Sequence, residues 1–120
     1  MKVLLDTNFL LLPHQFGVDI FEYLSLYEVA TLDLCINELK KLSKGKNEDA
    51  KAARIALKLI KGKNVEIIKS DEKKVDSAIL NYASNERCAV ATNDKELIKD
   101  LKRCGIKIIR LRQNKYLIEE

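Results

Sequence analysis

The 120 residues of this chain suffice to bury one hydrophobic core without disulfides or bound metals, so we expect a single domain over residues 1–120. No stretch approaches the ~18 apolar residues of a membrane span and no leader pattern is present, so we expect a soluble, unprocessed protein with no membrane partner. The three cysteines, Cys35, Cys88 and Cys104, form no CxxC pair. They exclude a disulfide framework, are predicted to be buried, and favour a reducing, cytoplasmic setting.

The charge balance is mildly basic, with 22 basic and 18 acidic residues and a net charge of +4. If several acids were gathered in one site, the remaining surface would be strongly basic, which suits a polyanion such as nucleic acid. The alternative is a heat-adapted surface of ion pairs, because a charged fraction of 33% is also typical of such proteins. Charge alone leaves both interpretations open.

Short β-type runs alternate with longer helical patterns along the chain. Strands are predicted at residues 2–5, 29–34, 65–68, 88–91 and 106–111. A short apolar turn ends at Pro13, a loop follows over residues 14–18, and residues 112–120 are predicted to form a polar tail. Helices are predicted to begin at the caps Asp19, Asn47, Asp71 and Asp94, and near residue 36. This order predicts an α/β fold, a three-layer αβα sandwich with a mainly parallel, twisted five-stranded sheet.

Four acids stand where such a fold places a ligand. Asp6 and Asp94 each come just after a predicted strand. Glu38 follows the second strand in the first turn of a helix, and Asp76 lies in the first turns of the helix that leads to the fourth strand. Parallel α/β sheets bind ligands beyond the carboxyl ends of their strands, where the strand order reverses. If the first and fourth strands flank that point, all four carboxylates share one cavity.

Such a cavity requires a counterion, because two carboxylates 4 Å apart repel by roughly 4 kcal/mol at an effective dielectric constant near 20. Oxygen ligands without a nearby cysteine or histidine favour Mg²⁺ or Mn²⁺ over zinc. A hard cation of this kind activates water and neutralises charge in phosphodiester hydrolysis. The sequence therefore predicts a metal-dependent hydrolase acting on phosphodiester bonds.

Each acid also has a structural explanation. Asp94 stands at an N-cap position, and Glu38 and Asp76 are typical of solvated acids in a first helical turn. Asp6 is harder to explain in this way, because Thr7 and Asn8 behind it already supply turn and cap chemistry. The metal hypothesis depends on the four acids as a set.

The sequence resembles a PIN domain, a family of metal-dependent nucleases, in four motifs that occur in the family's order. They are Asp6-Thr7-Asn8, Ile36-Asn37-Glu38-Leu39, Val75-Asp76-Ser77-Ala78-Ile79 and Thr92-Asn93-Asp94. The resemblance implies a PIN-like, Rossmann-like fold and an endoribonuclease in which Asp6, Glu38, Asp76 and Asp94 hold Mg²⁺ or Mn²⁺. It also implies that Asn8 and Thr92 support the site. Ser77 departs from the pattern, since related proteins often carry a further acid there.

Two segments narrow the resemblance to archaeal PIN proteins similar to a nuclease that processes small-subunit ribosomal RNA. They are residues 12–22 and residues 109–116. Archaeal members are also grouped with VapC-type toxins, which implies either an antitoxin or a ribosome-assembly partner.

Basic residues near the end of the sequence predict contacts with single-stranded or structured RNA. Arg110, Arg112 and Lys115 are predicted to bind phosphates, and Tyr116 to stack on a base. His14 stands alone beside a proline and is predicted to be solvated, not catalytic.

Two non-enzymatic alternatives stay open. The first is an RNA-binding scaffold that keeps the acids to bind Mg²⁺ but cleaves nothing. The second is a dimerising module, in which Phe21, Leu24 and Tyr27 form an exposed apolar helix face that pairs with a second copy.

Overall fold

The computed structural model describes residues 1–120, and a six-stranded sheet runs through its centre. The strands are β1 (Lys2–Leu5), β2 (Glu28–Leu32), β3 (Glu66–Ile68), β4 (Ala89–Ala91), β5 (Ile108–Arg112) and β6 (Tyr116–Glu119). Their order is β3-β2-β1-β4-β5-β6, and all neighbours are parallel except β5 and β6. The predicted α/β class with a mainly parallel sheet is confirmed, and the predicted number of five strands is wrong.

The sixth strand comes from the segment predicted as a polar tail. Gln113 and Asn114 have φ values of 54° and 56°, so the chain reverses tightly and Tyr116 pairs with Arg112. Leu117 then packs against the core. Four residues of mixed polarity are too few for a strand pattern to stand out in the sequence, and pairing to β5 decides their conformation.

Seven helices connect the strands. They are α1 (Thr7–Leu10), α2 (Leu12–Phe16), α3 (Ile20–Tyr23), α4 (Asp33–Ser43), α5 (Glu48–Gly62), α6 (Val75–Glu86) and α7 (Lys95–Arg103). The predicted caps Asp19 and Asn47 accept backbone N–H groups at 3.1 Å and 2.9 Å, so both predictions are confirmed.

Three predicted boundaries are wrong. Pro13 lies in the first turn of α2, where a missing N–H does no harm, and the chain stays helical to Phe16 instead of forming a loop. The second strand ends at Leu32 because α4 begins directly at Asp33. Lys74, in extended conformation, is the N-cap of α6, and Asp71 lies before the helix.

Helices cover both faces of the sheet, which confirms the three-layer sandwich. Alternate residues of β1 point to opposite sides, so Val3 and Leu5 join one core cluster with residues of α1, α2, α4 and α5. Leu4 joins a second cluster with residues of α6 and α7. Because both clusters bury β1, the carboxyl end of this strand, which Asp6 follows, is held in place by packing from both sides.

Two predictions about surface and core residues are wrong. Cys104 is exposed because it ends α7, whereas Cys35 and Cys88 are buried as expected. Leu24 lies in the core, since α3 ends at Tyr23 and the chain turns inward, so the exposed face proposed for dimerisation loses its central residue. None of the helices has the length and apolar composition needed to cross a membrane.

Candidate active site

The strand order reverses between β1 and β4. From β1 the chain proceeds outward to β2 and β3 on one side, and it returns to β4 and β5 on the other. Leu5 of β1 pairs with Ala91 of β4, and the Asp6 N–H donates to the Ala91 carbonyl at 3.2 Å. Asp6 therefore lies at the carboxyl edge of the sheet, beside the crevice where this architecture binds ligands.

A cleft of about 390 Å³ opens at this edge, and the structure brings all four predicted acids to it. They come from four separate elements of the fold, since Asp6 follows β1, Glu38 lies on α4, Asp76 on α6, and Asp94 precedes α7. The remaining lining residues are Thr7, Asn8, Lys41, Leu42 and Val75.

Asp6 is the buried member of the set, with only 5% of its surface exposed. Its Oδ1 accepts the Phe9 N–H at 2.8 Å, and its Oδ2 accepts the Thr92 hydroxyl. Burial raises the pKa of Asp6 from 3.8 to about 6, although the hydrogen bonds from Thr92 and Phe9 oppose the rise, and the charges of Asp76 and Asp94 add to it. The charged form is therefore poorly stabilised by the protein alone.

The bond from Phe9 also makes Asp6 the N-cap of α1. The expectation that Thr7 and Asn8 supply the cap instead is wrong, because the chain becomes helical at Thr7 itself. A capping carboxylate is held in one orientation, and this fixes Asp6 at the crevice.

Thr92 links two of the acids. Its buried hydroxyl donates to Asp6 and accepts the Asp94 N–H at 3.1 Å. Asp94 Oδ1 in turn accepts the N–H groups of Glu96 and Leu97 at 3.0 and 3.2 Å, so the predicted cap is confirmed. Capping occupies only Oδ1, and Oδ2 has no protein donor. The structural and the functional interpretations of Asp94 are thus compatible.

Glu38 is oriented by a residue that sequence reasoning treated as part of a turn. The Thr7 hydroxyl donates to Glu38 Oε1, across 31 positions of sequence. Glu38 was predicted in the first turn of its helix. This is wrong, because α4 begins at Asp33 and Glu38 lies in its second turn. The position of Thr7 directly after Asp6 is the feature of the sequence that could have predicted this contact, because both residues lie at the same edge of the sheet.

Asp76 lies in the first turn of α6 and faces other acids. Partial burial raises its pKa, and the negative charges of Asp94, Glu38 and Asp100 raise it further. Asp100 does not line the cleft and lies 3.7 Å from Arg103. Asp76 therefore lies in the negative field of two other acids of the cleft, Asp94 and Glu38.

The three basic residues predicted to bind RNA lie outside the cleft. Arg110 pairs with Glu120 at 2.9 Å, whereas Arg112 and Lys115 are exposed at the β5–β6 turn and make no ion pair. Arg112 ends β5 at the same edge of the sheet as the cleft. A role of these residues in RNA binding stays a prediction, and pairing makes Arg110 the least available of the three.

The donor set fits a partly hydrated hard cation. No three His, Cys, Asp or Glu side chains converge closely enough to enclose a metal by themselves. Mg²⁺ does not require such a cage, because it usually binds one or two carboxylates and retains several waters. The cleft offers carboxylate oxygens and space for water, and no sulfur or imidazole ligand lines it.

A larger groove of about 750 Å³ lies at the opposite, amino-terminal edge of β2 and β3. Only part of its charge is paired within the protein, since the other charged lining residues form no ion pair; these are Asp19, Glu22, Glu28 and Lys63. Glu66 lies 2.9 Å from Lys2, and the Tyr27 hydroxyl donates to Glu119, which raises the pKa of Tyr27 to about 12. Ligands of parallel sheets bind at the other edge, so the smaller acidic cleft is the candidate active site.

Comparison with known proteins agrees with this architecture. Residues 3–114 match the family model described as a PIN like domain. Ribonuclease VapC4 of Methanocaldococcus jannaschii is 36% identical over 123 aligned positions, which cover 96% of this chain and 93% of the relative. The family match includes β1 from Val3 onward, β2 to β5, and all four acids of the cleft. The chain therefore belongs to the PIN-like domain family.

Proposed function

We propose that this protein is an endoribonuclease that hydrolyses RNA phosphodiester bonds with the help of Mg²⁺ or Mn²⁺. One observation carries the proposal, namely that four carboxylates from four elements line one cleft at the reversal point of the sheet. The family match and the similarity to a relative named as a ribonuclease support the choice of RNA as substrate.

Asp6 and Asp94 would hold the principal ion, with Asp76 and Glu38 completing its surroundings through bound water. When bound, such an ion polarises the scissile phosphate and lowers the pKa of a water molecule. The protein contributes orientation. Thr92 fixes the Asp6 carboxylate, while capping of α7 fixes Asp94 and leaves its Oδ2 without a protein donor.

Glu38 is the group best placed to orient the attacking water. The Thr7 hydroxyl holds Oε1, so that Oε2 is left for a water molecule in the cleft. Asp6 must lose its proton before it can act as a ligand, and its pKa of about 6 leaves it ionised at neutral pH. The site is therefore active only when Asp6 is charged.

The experiment is cleavage of a labelled single-stranded RNA with Mn²⁺ by the wild type and by Asp6→Asn. The matched control is Asp19→Asn, because Asp19 is also an N-cap carboxylate but is exposed and lies outside the cleft. We expect cleavage by the wild type and the control, and none by Asp6→Asn or in EDTA. Cleavage that persists in EDTA or in Asp6→Asn would refute the proposed chemistry.

The motifs and the comparison favour two different cellular roles for the same chemistry. The similarity to Ribonuclease VapC4 favours a toxin held by an antitoxin, and residues 12–22 and 109–116 favour ribosomal RNA processing in the cytoplasm. Purification of the protein from its native cells distinguishes them, since a small antitoxin accompanies a toxin and pre-ribosomal RNA accompanies a processing enzyme.

Salt-sensitive RNA binding without cleavage under Mg²⁺ or Mn²⁺ would instead identify a scaffold. Light scattering tests whether the protein forms a homodimer. The apolar surface predicted to pair with a second copy is smaller than expected, because Leu24 is buried.

A further inference from the structure

One cation lies among the four carboxylates of the cleft. Lys41 follows Glu38 by about one helical turn on α4, so the two residues share a helix face. It is the one basic residue that lines the cleft. Its neighbour Lys40 is exposed and does not line it.

Lys41 is not the internal counterion of these acids. The six ion pairs of the protein involve other residues, and Glu38 accepts the Thr7 hydroxyl. A lysine ammonium has three hydrogen-bond donors on a flexible side chain. The ammonium of Lys41 forms no ion pair with the carboxylates that line the same cleft. Its charge is available to an anion that enters the cleft.

The position of Lys41 in the helix does not account for its place on the cleft. Lys40 and Lys41 both lie in the last turn of α4, where either cation interacts favourably with the helix dipole. Only Lys41 faces the carboxylates. The two lysines therefore form a natural pair for comparison, with the same dipole interaction and different surroundings.

On the basis of the proposed function, we propose that Lys41 binds a backbone phosphate of the RNA and positions the strand over the carboxylates. RNA phosphates and the four acids repel one another, and the ammonium offsets part of this repulsion on the α4 side of the cleft. A phosphate contact fixes the strand without reading its sequence. The neighbouring lining residues Leu42 and Val75 have no side-chain hydrogen-bonding groups with which to read a base.

The test compares Lys41→Gln with Lys41→Arg and with the control Lys40→Gln. We expect Lys41→Gln to raise KM for single-stranded RNA about tenfold with kcat nearly unchanged, because a charge-assisted contact to a non-reacting phosphate is lost. It should also reduce the slope of log affinity against log salt by about 0.7. Lys41→Arg should retain most of the affinity, and Lys40→Gln should match the wild type.

Two separate readouts distinguish the possible failures. If Lys41→Gln and Lys40→Gln have the same KM and the same salt slope, the role of Lys41 is overturned. RNA cleavage by the wild type would then still support the proposed function. A fall in kcat at unchanged KM would also overturn it, since the contact would then belong to the transition state. A wild-type protein that neither binds nor cleaves RNA would overturn the proposed function, and the role of Lys41 with it. A Mn²⁺-dependent rise in melting temperature, expected to persist in all variants, verifies that the carboxylates are intact.

Discussion

Asp6→Asn is expected to stabilise the metal-free protein while abolishing its activity. The wild-type carboxylate is buried beside Asp76 and Asp94, and its pKa of about 6 lies roughly two units above the value of 3.8 for an exposed group. Each unit corresponds to about 1.4 kcal/mol, so the charged carboxylate destabilises the fold by about 3 kcal/mol above pH 6. The substitution removes this charge.

The pH dependence identifies the cause. Because the folded-state pKa is raised, the penalty is absent below pH 3.8, grows as pH rises, and is complete above pH 6. The free energy of unfolding of Asp6→Asn relative to the wild type should therefore rise by roughly 2 kcal/mol between about pH 4 and about pH 8. The amide does not titrate, so any change that it makes to the hydrogen bond with Thr92 is the same at both pH values and cancels in the comparison.

Urea unfolding in EDTA at the two pH values measures the effect, with Asp19→Asn as the exposed-cap control. A difference between Asp6→Asn and the wild type that does not change with pH would refute the argument from burial. Addition of Mn²⁺ at 100 times its Kd should then stabilise the wild type by about 2.7 kcal/mol and leave Asp6→Asn nearly unchanged. An equal gain in both proteins would show that the ion binds elsewhere.

Three further predictions concern the supports of the site and the sixth strand. Thr92→Val leaves the Asp94 N–H and Asp6 Oδ2 without their partner, so we expect a loss of about 1–3 kcal/mol in urea unfolding and weaker Mn²⁺ binding. Mn²⁺ affinity, measured by calorimetry, should fall about tenfold per pH unit below about pH 6, because protons compete for Asp6. Asn114→Val should lower stability by about 1–2 kcal/mol, whereas Asn114→Gly should not, because the φ of 56° disfavours a β-branched residue. Wild-type Mn²⁺ affinity in Thr92→Val would contradict the role of Thr92, and a Mn²⁺ affinity independent of pH would contradict proton competition at Asp6. Equal stability of the two Asn114 variants would contradict the argument from φ.

The sequence by itself determined the architecture and the positions of two acids. Hydrophobic periodicity and caps such as Asn47 are local properties, so they predicted the first five strands and the order of the layers. Asp6 and Asp94 come just after their strands, so the sequence predicted both at one edge of a parallel sheet, and the structure supplied the remaining condition, that β1 and β4 are neighbours.

Only the tertiary structure decided how those acids are held and how they titrate. The bonds from Thr7 to Glu38 and from Thr92 to Asp6 join residues 31 and 86 positions apart. No local pattern encodes such pairs. The raised pKa of Asp6 depends on its burial in the folded protein, and the strand β6 depends on pairing with β5. These properties arise from the distances between elements, and packing fixes those distances only when the whole chain has folded.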